Sequence, residues 1–528
     1  MPDHLTPDGP GFESAGEHRR PLGDPDNPAI DSFGEPVLSA GGLDLPIDVT
    51  EAKNDPAPLQ ATPEELAALA ETEAELDARW PETKIEPSLT RIALLMDLLG
   101  HPEKSFRSIH VAGTNGKTST VRMIESLLRA FHRRTGRTTS PHLQSVTERI
   151  AIDGTPIAAR DYVRLWREIK PYVEMVDTAS EKEGGPMMSK FEVLTALAYA
   201  AFADAPVDVA VVEVGMGGRW DATNVIDSDV AVVMPVGLDH TDYLGETVEE
   251  IAGEKAGIIK PKVKDPDDVL EPDDNVAVVA LQEAAAMKVI LAQAVKADSA
   301  VARFGQEFGV AESVTAVGGQ LVTLTGLGGT YEEIFLPLSG AHQAHNAACA
   351  LAAVEAFFGA GAGRKLDIDM VREGFATVTS PGRLERVRAT PTVFADATHN
   401  PQGAKALAAS LADDFEFRRL IAVVACFADK DVRGILRELE PVVDEIVVTE
   451  NFSPRAMPVD ELAGIAREIF GDERVHTAGQ LVDAVDTATA LAEDPDNEGG
   501  PVSGSGIIIT GSVVTAGQAR TLFGKEPA

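Results

Sequence analysis

Cysteine is nearly absent from this chain: Cys349 and Cys426 are the only two among 528 residues. Two thiols cannot build a disulfide framework. Each lies in an apolar run, 347–353 and 420–428, where packing rather than reactivity is the expected role. Positive charge is outnumbered: 46 Lys and Arg stand against 84 Asp and Glu, a net charge of −38. This argues against a broad basic surface, and so against nucleic acid or anionic lipid as a partner. Long apolar runs are missing as well. No stretch approaches the roughly 18 residues of a membrane span, and no basic-then-apolar segment follows Met1. These absences predict a protein of the reducing cytoplasm. No internal repeat is found.

What is present reads as a folded globular chain. Apolar content of 44% and charged content of 25% are ordinary for a globular chain. At roughly 100–200 residues per domain, the length predicts two or three domains. Residues 1–60 hold 12 acids and 3 Lys/Arg and are rich in Pro and Gly, which predicts a disordered acidic tail. Thr62-Pro63-Glu64-Glu65 then opens a helix with a capping box. A second helix is predicted over 88–99, a strand over 106–112 and a helix over 118–134. Further strands are expected at 207–214, 230–236, 276–280, 420–426, 445–448 and 506–510. Their alternation with helices argues for α/β parallel sheets covered on both faces. The acidic run 262–274 and the Gly/Pro/Ser run 494–505 read as loops, and Thr379-Ser380-Pro381-Gly382 as an inter-domain linker. The expected domains are 61–378 and 379–528.

Gly113-Thr114-Asn115-Gly116-Lys117-Thr118 is the most informative segment. It resembles a phosphate-binding loop, but a short one, with Val111 where the longer G-x-x-x-x-G-K-[ST] pattern has glycine. Between a strand and a helix, its backbone amides would hold phosphate oxygens. Lys117 would supply the point charge, and the Thr118 hydroxyl a ligand for Mg²⁺. Glu213 ends a buried strand before Gly215, Gly217 and Gly218. That is where ligands bind in open α/β sheets, and a carboxylate there suits a metal. His240, after the next strand, is open between a structural side chain and a metal or phosphate ligand. Lys255, at an apolar helix end, is open between a snorkelling lysine and a site residue. Arg383 offers a guanidinium for phosphate. Asp396, His399 and Asn400 stand at a strand-to-turn position that also suits a plain hydrogen-bonded turn.

In order along 85–520, these segments resemble the folylpolyglutamate synthase/dihydrofolate synthase family of the Mur-ligase-like superfamily. The match runs through Ile109–Lys117, Thr139-Ser140-Pro141-His142, Glu148-Arg149-Ile150, Glu213–Arg219, Asp221–Asn224, Leu238–Thr241, Glu254–Ile259, Gly340–Gln343, Asn346–Ala348, Pro381–Glu385 and Asp396–Pro401. Ala428–Asp431 and Thr510-Gly511-Ser512 also fit. The resemblance implies a P-loop parallel-sheet ATPase domain followed by a smaller Rossmann-like domain. It implies a cytoplasmic, mostly monomeric ligase that uses ATP and Mg²⁺ to join L-glutamate to dihydropteroate, to folates, or to both. The reaction passes through an acyl phosphate. Ser140, Glu213 and His240, with Thr118, match metal ligands. Lys255 matches a lysine that is often carbamylated, and a monovalent cation has a place in such sites. Asn346 matches an adenine contact. Arg383, Asp396 and His399 match groups reaching phosphate, ribose and glutamate. Ser189, Phe191 and Asp221 match a pterin pocket, and Ser512 a glutamate contact. Lys117, Lys255, His240 and His399 are thus the expected catalytic set. Thr118 departs from the glycine of many bacterial members, and 144–146 lacks an arginine that some carry. Two rivals remain: a Mur-type UDP-N-acetylmuramyl peptide ligase, for which 61–105 is too short to form a UDP-binding domain, and a non-catalytic ATP-binding regulator, which would not need Glu213, His240 and Lys255 at once.

Overall fold

Strand Arg107–Ala112 (β1) is buried at five of its six positions and lies at the centre of a sheet. The computed structural model describes residues 61–80, 86–262, 275–493 and 504–528. The expected tail 1–60 and nearly all of the two loops at 262–274 and 494–505 lie outside the described residues. Along the chain follow Thr135–Thr138 (β2), Ile150–Ile152 (β3), Thr155–Pro156 (β4), Val209–Glu213 (β5), Val230–Val233 (β6), Val276–Val279 (β7) and Ala300–Arg303 (β8). Their order is β4-β3-β2-β5-β1-β6-β7-β8. From β2 to β8 each pair is parallel, while β3 and β4 add antiparallel at one edge.

Both faces of this sheet are covered, which is why β5 and β6 read as near-continuous apolar runs, while β1 also buries Ser108 and His110. On one face Ile109, Val111, Val211 and Val232 pack against Ile124, Leu127 and Leu128 of helix Lys117–Ala130 and Leu351 of helix Ala341–Phe357. Each such fully buried side chain contributes about 1.5–3 kcal/mol. On the other face Ala210 and Val212 meet Trp166 of helix Ala159–Lys182 and Tyr199 and Phe202 of helix Lys190–Asp204.

Gly309–Ala316 (β9), Gly319–Thr325 (β10) and Thr330–Leu336 (β11) form an antiparallel three-stranded sheet that the sequence reading did not predict. The third sheet holds Glu385–Arg388 (β12), Thr392–Ala395 (β13), Arg419–Val424 (β14), Glu445–Val448 (β15), Val475–Thr477 (β16) and Ser505–Thr510 (β17). Its order is β12-β13-β17-β14-β15-β16, parallel except for β12. Helices Pro401–Asp414 and Val459–Phe470 cover one face, and helix Leu481–Glu493 the other.

Two expectations need correction. The sheets are not wholly parallel. The helix after the glycine loop ends at Ala130 rather than 134, because Phe131 and His132 turn out of it, His132 with a positive φ. The segment 379–382, expected as an inter-domain linker, is held against the loop helix: Ser380 is buried, with its hydroxyl 2.9 Å from that of Ser119.

Candidate active site

The glycine loop leaves β1 and passes directly into helix Lys117–Ala130. Gly116 enters that helix with φ +84°, and no side chain caps it. Elsewhere Thr62, Ser189 and Thr247 cap their helices with reciprocal capping boxes. An uncapped helix start leaves its amides available to an anion. Gly113 lets the loop approach β6: a Cβ there would lie 2.5 Å from that of Met234. The loop is also tied to the segment after β6. The Thr114 amide donates to Pro235 O at 2.9 Å, and its hydroxyl exchanges bonds with Gly237.

Two lysines converge on one carbonyl. Lys117 Nζ donates to Gly113 O at 3.0 Å and to Thr114 O at 3.2 Å, and Lys255 Nζ donates to Gly113 O at 3.0 Å. Burial lowers the pKa of both. For Lys117 the carboxylates of Glu213 and Asp239 oppose the shift. For Lys255 the nearby Lys117 charge adds to burial and brings it to about 7. Glu213, at the C-terminal end of β5, receives the Thr118 hydroxyl on Oε1 at 3.0 Å. Burial raises its carboxyl, with Lys117, the Thr118 hydroxyl and the Ser140 amide pulling it back. Its Oε2 is buried and has no hydrogen-bond partner among the described residues. An orphaned carboxylate oxygen beside a threonine hydroxyl is a hard oxygen donor set of the kind Mg²⁺ takes. The Ser140 loop is itself pinned: Glu148 accepts the amides of Leu143, Gln144 and Ser145 at 2.8–3.0 Å.

A facing wall comes from the second lobe. Asn115 Nδ2 donates to Gln402 Oε1 at 2.9 Å and to Asn400 Oδ1 at 3.3 Å. Lys430 Nζ donates to Asp239 Oδ1 at 3.0 Å. Burial alone would raise the Asp239 carboxyl, but His240, Lys430 and His399 hold it well below the usual range. His240 and His399 are brought down to about 4 by burial, so both imidazoles are neutral at pH 7. His399 Nδ1 lies 2.9 Å from Ala397 O, which assigns the proton to Nδ1 and leaves Nε2, 3.9 Å from Asp239 Oδ2, as an acceptor. Asp396 receives the amides of Leu384 and Thr398 and thereby fixes the turn carrying Arg383. Arg383 itself is close enough for its charge to act on Lys117 and Glu213.

A cavity of about 440 Å³ lies past the ends of β6 and β7, bordered by Met234, Phe304, His345, Asn346, Cys349 and, from the second lobe, Gln402. The Phe304 and His345 rings meet edge to face at 4.9 Å. Asn346 is buried, bonded to Gln343, and its Oδ1 lies against Gly116. The cavity suits a flat, mostly apolar ring with a few polar edges.

Phe191 and Asp221 meet at one loop, and Ser189 opens the helix that carries Phe191. Ser189 caps helix Lys190–Asp204, whose second residue, Phe191, lies so close over Gly215 that no Cβ would fit there. Asp221 accepts the Met216 amide at 2.8 Å and the Thr223 hydroxyl at 2.5 Å. Ser512 stands apart: it is fully buried, caps helix Val513–Leu522, and its hydroxyl meets Asn451 and Thr515. Asp239, Asn400 and Lys430 lie inside the family-like motifs, yet sequence alone assigns them no role. Their signal was a charged or amide side chain just past a strand end. Gln402 had none.

A glycine loop at the end of a parallel strand, facing a second α/β lobe across an acid–base wall, is the architecture of a Mur-type ligase. The Mur ligase middle domain matches residues 168–354, and the Mur ligase glutamate ligase domain residues 382–511. The dihydrofolate synthase/folylpolyglutamate synthase of Mycobacterium tuberculosis is 61% identical over 473 residues, 88% of this chain and 96% of that protein. A structure of the M. tuberculosis folylpolyglutamate synthase complexed with ADP superposes with a TM-score of 0.83 at 59% identity, covering 88% of this chain and all of that one. Escherichia coli FolC in complex with DHPP and ADP follows at a TM-score of 0.72 and 29% identity, covering 87% and 99%. The chain belongs to the dihydrofolate synthase/folylpolyglutamate synthase family.

Proposed function

We propose that this protein joins L-glutamate to dihydropteroate and to folate-type glutamates at the expense of ATP. The substrate carboxylate takes the γ-phosphoryl group and ADP leaves. The glutamate amine then attacks the acyl carbon, the bond to phosphate oxygen breaks, and an amide, orthophosphate and a proton result. The observation that carries this reading is the convergence of Lys117, Lys255 and Thr118–Glu213 on the end of β1, opposite the neutral His399.

In this reading the cavity beside Asn346 takes the base of ATP and the loop amides take its phosphates. Lys117 leaves the Gly113 and Thr114 carbonyls to meet the phosphate. Glu213, Thr118, Ser140 and His240 would hold Mg²⁺, which screens the negative charge shared by ATP and carboxylate when bound. His399 Nε2 accepts the proton of the attacking amine, and the Asp239 carboxylate stabilises the imidazolium so formed. Arg383 and Asp396 border the phosphate and ribose. Ser189, Phe191 and Asp221 form the pterin side, and Ser512 shapes the glutamate side through its turn. Closure of lobes 61–378 and 379–528 would shield the acyl phosphate from water. A lysine with a pKa near 7 carries enough free amine to form a carbamate with CO₂, which supports a carbamylated Lys255. A monovalent cation, a monomeric state and a cytoplasmic location, with no nucleic-acid or membrane partner, complete the reading.

Phosphate release is measured with ATP, Mg²⁺ and glutamate plus dihydropteroate, tetrahydrofolate or a UDP-muramyl peptide precursor. Release with either pterin is expected. Release with the sugar alone overturns the reading. A ¹³C carbamate resonance after ¹³C-bicarbonate, absent in Lys255→Met, tests the modification.

A further inference from the structure

The start of helix Lys190–Asp204 is held from outside to an unusual degree. Both backbone groups of Met188 are taken by side chains, one from helix Ala159–Lys182 and one from the turn just past helix Pro63–Asp77. Its amide donates to Asp177 Oδ1 at 2.7 Å, and its carbonyl accepts Arg79 Nε at 3.1 Å. Arg79 and Asp177 also bond each other, Nη2 to Oδ2 at 2.5 Å, with each side chain only 12% exposed. The next amide, of Ser189, goes to Glu192, which Arg91 holds at 3.1 Å. The Lys190 amide, an orphan donor of the first helical turn, goes to Trp80 O at 2.9 Å, where Trp80 and Ser189 pair as an isolated parallel bridge. Lys190 Nζ bonds Asp77 at 2.5 Å. Three consecutive residues are thus fixed just before Phe191, whose ring lies on Gly215 of the loop that Asp221 secures.

We propose that Arg79 and Asp177 are positioning residues for the pterin side of the site: by clamping both backbone groups of Met188 they set where the helix start places Phe191. The inference rests on the functional reading above, in which Phe191 faces the pterin. The clamp acts on one wall only. Among the described residues, Arg79 and Asp177 make no hydrogen bond to the glycine loop or to the lining of the Asn346 cavity. Its loss should therefore fall on the pterin substrate and spare ATP. A buried guanidinium–carboxylate pair suits the task, because the planar fork meets two acceptors at fixed angles and lysine cannot.

The test is steady-state kinetics of the full chain carrying Arg79→Gln, Arg79→Lys or Asp177→Asn, with dihydropteroate and ATP varied in turn and melting temperature read on each. The expected result is a KM for dihydropteroate raised on the order of tenfold, since a shift of about 1 Å in a substrate-positioning group is enough for that. The KM for ATP stays within about twofold, and Arg79→Lys falls between wild type and Arg79→Gln. Where Arg79→Gln does not fold, Arg79→Lys and the near-isosteric Asp177→Asn carry the comparison. A parallel rise of both KM values, or no change in either, overturns the clamp. Failure of the wild-type chain to turn over any pterin overturns the functional reading and this inference together, whereas normal wild-type turnover with an unmoved pterin KM overturns this inference alone.

Discussion

Lys430 Nζ donates to Asp239 Oδ1 at 3.0 Å, joining two lobes across 191 positions of sequence. Both side chains are nearly buried, 12% and 11% exposed. Asp239 stands beside His240 and within 3.9 Å of His399, so this one carboxylate touches both walls of the site.

Removing one partner leaves a buried charge uncompensated, which costs about 3–5 kcal/mol. Lys430→Met is therefore expected to lose stability on that order in urea unfolding, and Asp239→Asn likewise. The double variant should recover part of the loss, because neither charge is then stranded. Additive losses would show that the pair is not coupled. Activity should stay low in the two variants that lack Asp239, since His399 there loses the carboxylate that supports its protonated form.

Glu213 offers a second check. Its Oε1 is occupied by Thr118 and its Oε2 is bare. Glu213→Gln keeps the shape and removes the charge that attracts a divalent cation. Adding Mg²⁺ with ADP is expected to raise the melting temperature of the wild type, as any ligand that binds the native state does. The variant should gain little from Mg²⁺ over ADP alone, and its turnover should fall by on the order of a hundredfold or more. Equal protection by Mg²⁺ in both proteins would place the metal elsewhere.

The parts of the fold legible in sequence were those where burial is symmetric. β5, β14 and β17 lie inside sheets covered on both faces, so each carries an apolar run of three or more residues, and β1 shares that burial although Ser108 and His110 interrupt its apolar residues. β9 is exposed along most of its length and β10 alternates, so neither rises above the background of a polar loop. β13 was legible only as the residues before a turn. At the site, the loop and the residues beside it on strand ends could be read because each follows a strand at short range. The bonds of Asn115 to Asn400 and of Lys430 to Asp239 could not, since nothing local in either segment encodes a partner 285 or 191 residues away.

Gly116 carries a prediction about the nucleotide alone. Its φ of +84° disfavours any side chain by roughly 1–2 kcal/mol, and a Cβ there would lie 2.6 Å from Asn346 Oδ1. Gly116→Ala must therefore move either the loop or the asparagine beside the cavity. The expected outcome is a KM for ATP raised about tenfold or more, with the KM for dihydropteroate little changed. An unaltered KM for ATP would detach Asn346 from the nucleotide.

Lys255 gives the pH dependence. In the folded chain its pKa is brought to about 7; unfolded, it returns to about 10.4. Between these values the unfolded chain binds a proton that the folded chain does not, so stability must rise with pH across that window. Below about 7 both states are protonated and the cost of burying an ammonium is fully present; above about 10.4 both are neutral and it is gone. Lys255→Met removes the group. The stability of wild type relative to Lys255→Met, read from urea unfolding in CO₂-free buffer, is expected to increase by a few kcal/mol from pH 7 to 10. A flat difference would mean that the ammonium pays no burial penalty in the fold. Bicarbonate should weaken the trend, because a carbamate exchanges the titrating amine for an anion and changes which charge Gly113 and Lys117 face. The same trend with and without bicarbonate would argue that Lys255 works as a plain amine.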